Sequence, residues 1–288
     1  MIRIVIIAYK EYNTIAKAIS SFKEQKLNKK YKIYVVCPDL ETKNEVLKFN
    51  DVVHIQDESK GKPSALNLVF RKFKNKNDIL ILTDGDVFVG DNSLKELLDY
   101  FSDKNVGAVS GHPVSLNPKD NILGYWSFVL TNIAHKLRLS GKNFVCSGYL
   151  MAIRNIVQNI PEDSLSDDAI ISNIIIDKGY KISYAPNALV YVKYPTTFKD
   201  WINQKIRSAG GYYQIKSFTK SNIKMRRSFA SESLGFLEVF IYAKNFREFI
   251  YTILLLFARL YLWFMIFIKI RIKKQSFNKI WARIESTK

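Results

Sequence analysis

Cysteine is nearly missing from this 288-residue chain, which holds only Cys37 and Cys146. Two thiols without metal-ligand spacing exclude a disulfide framework and a thiolate metal site, and they suit a reducing compartment. Acid is scarce as well: 26 Asp and Glu face 44 Lys and Arg, giving a formal charge of +18 and a pI near 9.7. That imbalance points to an anionic partner, whether nucleic acid, an anionic lipid surface or a phosphorylated substrate. Part of the lysine simply belongs to a composition rich in Lys, Ile and Asn. Internal repeats and low-complexity tracts are missing. So are helix-turn-helix, zinc and RNA-binding signatures, and no nucleic-acid partner is expected. The opening MIRIVIIAYK turns polar too soon to read as a secretory signal.

Apolar residues are plentiful, at 48% of the chain, which is ample for a core. In the first half, short β-branched runs alternate with amphipathic segments, the pattern of βαβ units on a parallel sheet. Strands are predicted at 2–8, 31–37, 52–55, 78–83 and 106–114, with helices at 13–25 and 62–73. Further on, helices are predicted at 120–139, 168–179 (ended by Gly179) and 198–218, and a strand at 180–186. The expected fold is α/β, Rossmann-like, with a mostly parallel central sheet. In such sheets ligands bind at the carboxyl ends of the strands. One α/β unit over 1–218 is expected, and its regular pattern loosens beyond residue 115.

The remainder, 219–288, reads as a membrane-associated helical region with a basic tail. FIYTILLLFARLYLWFMIFI (249–268) carries a single charge, Arg259. Twenty helical residues cover about 30 Å, close to the hydrocarbon thickness of a bilayer. Lys244 and Arg247 precede it, and Lys269, Arg271, Lys273 and Lys274 follow. Basic residues at both ends fit a hairpin, a re-entrant pair or an interfacial helix better than a simple crossing. The plainer alternative is a buried helix packed on the α/β unit. Attachment to the cytoplasmic side of the cell membrane is expected.

The acids carry the chemistry. In ILILTDGDVF (79–88), Asp84 and Asp86 follow a buried run, and Gly85 between them permits a tight backbone. Two hard oxygen ligands suit Mg²⁺ or Mn²⁺ with positions left open for phosphates, although Asp-Gly is also common in turns. In SLSDDAII (164–171), Asp167 and Asp168 stand where a helix begins. They could serve as helix caps, or one could be a general base oriented by the other. Gln204 and Arg207 in QKIR are spaced to share a helix face, where Arg207 could clamp a phosphate.

The ordered set AYKEYNT (8–14), PDL (38–40), KGKPSALN (60–67), TDGD (83–86), GAVSG (107–111), SDDA (166–169) and QKIR (204–207) resembles family-2 inverting glycosyltransferases of the GT-A fold. The likeness is to their synthase-like branch and covers roughly residues 1–215, and it implies that 1–218 is the catalytic domain, with a donor half to about 115 and an acceptor half over about 116–218. It implies that Ala8, Tyr9, Glu11, Asp39, Lys62, Asp84 and Gly85 receive the donor nucleotide, and that Asp86, with Asp84, holds the metal. It makes Asp168 the catalytic base beside Asp167, and sends Arg207 of the Gln-x-x-Arg element to the diphosphate, with Gln204 left to hydrogen-bond sugar or peptide groups. A nucleoside-diphosphate sugar, with uridine diphosphate as carrier, and a lipid-linked or glycan acceptor are implied. The chain departs from the family pattern at Lys10, where Asn is usual, and at Ser208, where the family has an acceptor-side Trp. Trp201, Tyr212 or Tyr213 is then the candidate for a sugar-stacking face, with core packing as the commoner fate of each. Rival readings are a nucleotidyltransferase, for which AYKEYNT lacks a Gly- and Arg-rich loop, and a non-catalytic basic binding protein, which would not need Asp84, Asp86 and Asp168.

Overall fold

The structure, a computed structural model, describes residues 1–141, 144–218, 236–272 and 284–287. Four strands, β1 (Ile2–Ile7), β2 (Tyr31–Cys37), β3 (Val52–Gln56) and β4 (Ile79–Asp84), pair in parallel in the order β3-β2-β1-β4. Their unbroken apolar runs suit strands covered on both faces. Ile4 and Ile6 join the core on one face, with Ile15, Ile19 and Phe22 of α1 (Ile15–Lys23). Val5 and Ile7 join the other, with Leu66, Val69 and Phe70 of α3 (Lys62–Lys72). The short helix α2 (Leu40–Val46) follows β2.

Four more strands extend the same sheet: β5 (Val87–Val89), β6 (Val106–Ser115), β7 (Leu150–Arg154) and β8 (Lys181–Val192). The full order is β3-β2-β1-β4-β7-β6-β8-β5. β7 is antiparallel to both β4 and β6, β5 is antiparallel to β8, and β6 and β8 are parallel. The sheet is therefore mixed, although most of its pairings are parallel. Neither β5 nor β7 figures among the strands expected from sequence. A three-residue strand has no readable period, and LMAIR is only five residues long in an irregular stretch.

Helices α4 (Ser93–Asp99), α5 (Ile122–Leu139), α6 (Asp167–Asp177) and α7 (Phe198–Phe218) complete the α/β unit. Gly179 ends α6 in the left-handed region at φ 84°, as expected of a cap. A last helix, α8 (Phe246–Ile266), is capped by Asn245, whose Oδ1 accepts from Glu248 N–H at 2.9 Å. It packs into a third core with Tyr125, Trp126 and Val129 of α5 and Trp201, Ile202 and Ile206 of α7.

Strand register positions the site. Ile7 pairs with Val36 on one side and with Asp84 on the other. Three parallel strands thus end level, and the turns after them (Ala8–Glu11, Pro38–Asp39 and Asp84–Asp86) lie side by side on one edge of the sheet.

Candidate active site

At that edge the turns are locked together. Asp39 caps α2 by accepting Thr42 N–H at 3.0 Å, and its other oxygen accepts Lys10 N–H at 2.8 Å. Partial burial pushes the Asp39 carboxyl up, but the hydrogen bonds from Lys10 and Thr42 outweigh it and hold its pKa below the usual range. Lys10, placed where the family has Asn, adopts φ 56°, a conformation Asn tolerates more readily. Glu11 is buried, and its N–H donates to Thr42 Oγ1 at 2.9 Å. Thr14 Oγ1 lies 2.9 Å from Gly85 O and 3.1 Å from Glu11 Oε2, joining the first turn to the Asp-Gly-Asp turn. Gly85 is required by this closeness: a Cβ there would stand 2.9 Å from Ala8 Cβ and 3.3 Å from Glu11 Cγ. Tyr9 is exposed beside these groups, with Lys10 Nζ 5.5 Å from its ring centroid.

Lys62 links this edge to the second half of the chain. It opens α3 after Gly61, which serves as N-cap at φ 96°, with Pro63 in the first turn. Its Nζ stands 2.6 Å from Asp84 Oδ1 and 3.2 Å from Asp167 Oδ2. Burial works against the lysine charge, but Asp167 and Asp84 outweigh it and keep Lys62 firmly protonated. Burial pushes Asp84 up; Lys62 pulls it back, and Asp86 pushes it up again. Asp167 Oδ2 is buried and, despite its proximity to Lys62, has no partner in hydrogen-bond geometry. Lys62 is the cation that meets it, as an ion pair rather than a hydrogen bond.

Asp168 sits in the first turn of α6. Its Oδ1 accepts Ser166 Oγ–H at 2.6 Å and Ala169 N–H at 2.8 Å, and its Oδ2 accepts Gly148 N–H at 3.1 Å. A carboxylate has about four lone-pair sites, so this pattern leaves one on Oδ2. Burial, followed by the neighbouring Asp167 charge, raises the Asp168 pKa, while Ser166, Lys62 and Ala169 oppose the rise. The result is a fixed carboxylate with more proton affinity than a solvated one. One oxygen serves the helix start and the other keeps a free lone pair, so a role at the helix end does not exclude a role as base.

Helix α7 closes the site. It buries Trp201, Ile202, Ile206 and Ala209, and leaves Gln204 and Arg207 half-buried on its other side. Gln204 Nε2 donates to Tyr149 Oη at 3.4 Å. Burial, reinforced by Tyr194 and by Asp86, drives the Tyr149 phenol well above its ordinary pKa, while Arg207 opposes them. Tyr149 thus stands among Asp84, Asp86, Gln204 and Arg207, and Thr83 Oγ–H ties its carbonyl at 2.7 Å. Trp201 is not a sugar-stacking residue: it is 2% exposed, in the core beside Trp126. Its place in the α7 periodicity aims it at α5 and α8. The side chains of Tyr212 and Tyr213 lie outside the described residues.

Sequence reasoning missed Thr14, Gly148, Tyr149 and the role of Ser166. Only Ser166 left a signal, as the hydroxyl directly before two acids at a helix start. Gly211 is also missed. A Cβ on it would fall 2.3 Å from Ser166 Cβ and 3.2 Å from Ser166 N. Gly211→Ala is therefore expected to cost about 1–3 kcal/mol by overpacking. It also displaces the hydroxyl that holds Asp168, so turnover falls further than the melting temperature alone would indicate. Thermal denaturation paired with initial rates checks this.

Among the described residues no group of three or more His, Cys, Asp or Glu side chains is arranged to hold a metal. Asp84 and Asp86 nevertheless fit a divalent ion bound by few protein ligands, and the Asp86 charge pushes the buried Asp84 carboxyl up, as crowded negative charge does. Four carboxylates (Asp84, Asp86, Asp167, Asp168) face two cations, Lys62 and Arg207. A diphosphate entering such a site needs a compensating cation.

Comparison with known proteins follows the same outline. The family model described as glycosyltransferase like family 2 matches residues 2–211. The chain is 27% identical over 202 residues to a hyaluronan synthase of Streptococcus pyogenes serotype M1, covering 64% of this chain and 43% of that protein. It is 24% identical over 229 residues to a poly-beta-1,6-N-acetyl-D-glucosamine synthase of Staphylococcus aureus, covering 74% and 55%. The chain spans about half the length of these relatives. In fold it is similar to a mannosyltransferase from Pyrobaculum calidifontis in complex with GDP-Man and Mn²⁺ (TM-score 0.61, 19% identity, 83% of this chain and 70% of that one). It is also similar to Staphylococcus aureus TarS 1–349 in complex with UDP (TM-score 0.51, 15% identity, 78% and 68%).

Proposed function

The chain belongs to glycosyltransferase family 2, and from that premise we propose that it moves a sugar, with inversion, from a nucleoside-diphosphate sugar to a hydroxyl or phosphate of a lipid-linked or glycan acceptor. The observation that carries this reading is the meeting of residues remote in sequence: Lys62 touches both Asp84 and Asp167, and Asp168 is held beside them.

The reaction is a single in-line displacement. Asp168 Oδ2 takes the proton of the acceptor hydroxyl as its oxygen attacks the anomeric carbon, and nucleoside diphosphate departs from the opposite face. Lys62 and Arg207 stabilise the negative charge that builds on the leaving group. Ala8, Tyr9, Glu11, Asp39 and Gly85 line the nucleotide side, and Gln204 orients the sugar side. Mg²⁺ or Mn²⁺, held by Asp86 with Asp84, would supply positive charge to the diphosphate. The Mn²⁺ in the Pyrobaculum calidifontis complex supports that assignment. Uridine diphosphate is the proposed carrier, and guanosine diphosphate is its competitor in the test. We place the enzyme at the cytoplasmic side of the membrane, with residues 1–218 as catalytic unit and the apolar region after them as attachment.

Calorimetric titration with UDP and GDP, each with Mn²⁺ or with chelator, tests the donor site. UDP is expected to bind more tightly than GDP, with affinity rising about tenfold or more, roughly 1.4 kcal/mol, when Mn²⁺ is present. Binding that ignores both the base and the metal would reject the donor assignment.

A further inference from the structure

Helix α8 has two unlike faces. Thr252, Leu255, Ala258, Arg259, Leu262, Trp263 and Ile266 are buried. Tyr125 Oη lies 2.9 Å from Thr252 Oγ1, and Trp126 Nε1–H donates to Tyr251 O at 2.7 Å, fastening the helix to α5. Phe246, Ile250, Leu254, Phe257, Tyr261 and Phe264 lie at helical spacing on the opposite face, and Phe246, Phe257 and Phe264 are 78%, 63% and 59% exposed. So continuous an apolar stripe is unusual on a monomer and marks an interaction surface.

By length and composition the segment Phe246–Lys269 could cross a membrane. Its packing argues against that. From Thr252 to Ile266 the inner face is occupied by the core it shares with α5 and α7. Helix α7 carries Gln204 and Arg207 into a site that must admit a water-soluble nucleotide sugar, and α5 carries Lys136 and Arg138. Neither can enter hydrocarbon, so α8 cannot cross while it keeps that core. Arg259, the one charge in the apolar run, is 5% exposed and faces the protein.

Charge selects the occupant of the stripe. Lys244 and Arg247 flank its start and Lys269 its end. With +18 on the chain, two copies repel one another, whereas an anionic bilayer attracts. We infer that α8 lies flat in the surface of an anionic membrane, its Phe246–Phe264 stripe among the acyl chains and its inner face still holding the catalytic unit. This builds on the proposed membrane attachment and is independent of the transfer reaction.

The test uses the full chain with vesicles of phosphatidylglycerol and phosphatidylcholine, and of phosphatidylcholine alone. Single cysteines replace Ile250, Phe257 and Phe264 in turn, and a nitroxide on each reports depth. The expected result is flotation with the anionic vesicles only, weakened by salt, with all three labels at one shallow depth. The double variant Phe257→Asp, Phe264→Asp is expected to lose vesicle affinity by about tenfold or more, because burying a single ring is already worth a factor of that order. Both positions are exposed, so its circular dichroism and UDP binding should stay unchanged. Labels at 250 and 264 graded by about 21 Å in depth, the rise of fourteen helical residues, would show a crossing helix. That would overturn the inference while leaving membrane attachment intact. Failure to bind either vesicle, with the stripe covered within the monomer or in a dimer by sedimentation, would overturn both.

Discussion

Asp168→Asn is expected to lower sugar transfer by about 10²–10⁴-fold, the range of general-base catalysis, while nucleotide diphosphate affinity stays close to wild type. The exchange preserves shape and removes the proton acceptor. All three hydrogen bonds that hold Asp168 come from donors: Ser166 Oγ–H, Ala169 N–H and Gly148 N–H. An amide has only one oxygen, so one donor loses its acceptor, at about 1 kcal/mol. That stability cost is too small to explain a thousandfold loss of rate, and a melting curve of the variant separates the two effects. Donor hydrolysis measured without acceptor should fall in parallel, because water attacking the same carbon needs the same base. Full transfer by the variant would remove Asp168 from the chemistry and leave it as a helix cap.

The same residue shows how far the sequence reaches. Strands β1 to β4 are legible because each is a short apolar run closed by polar residues, and the acids at their ends were expected at the sheet edge. The level alignment of those ends was not legible, since it depends on the pairing of Ile7 with both Val36 and Asp84. Asp167 and Asp168 are conspicuous, but the donors that fix Asp168 come from Gly148 and Ser166, and Gly148 precedes a strand whose period is too short to read. Tyr149 shows the limit most clearly. Nothing in FVCSGYLMAIR signals that its phenol stands between an Asp-Gly-Asp turn and a helix that begins forty-nine residues later. Trp201 stood open between a sugar platform and the core, and its helical phase sends it to the core. Contacts made by tertiary packing leave no periodic trace.

Lys62→Met tests the electrostatic account of the site. The change keeps the stem and removes the charge that bridges Asp84 and Asp167. Breaking a fully buried pair costs about 3–5 kcal/mol. Lys62 and Asp84 each keep about a quarter of the side chain exposed, 25% and 26%, so about 1–3 kcal/mol is expected after solvent screening. At roughly 2–4 °C per kcal/mol, the melting temperature falls measurably. The sign of its pH dependence follows from the carboxyls. Burial already raises Asp84 and Asp168 above 3.8 in the folded chain. Such groups stabilise the fold fully below the unfolded value and lose that contribution as pH climbs through the folded one. Without Lys62 the folded value of Asp84 rises further, so the deficit of the variant should be larger at pH 8 than at pH 5. Mn²⁺ should restore part of it at pH 8, since the ion supplies the missing charge, and UDP affinity should drop by about tenfold or more for loss of a phosphate-facing cation. A deficit equal at both pH values, with UDP binding intact, would mean that Lys62 serves only to start α3, and the charge balance proposed for the site would fall with it.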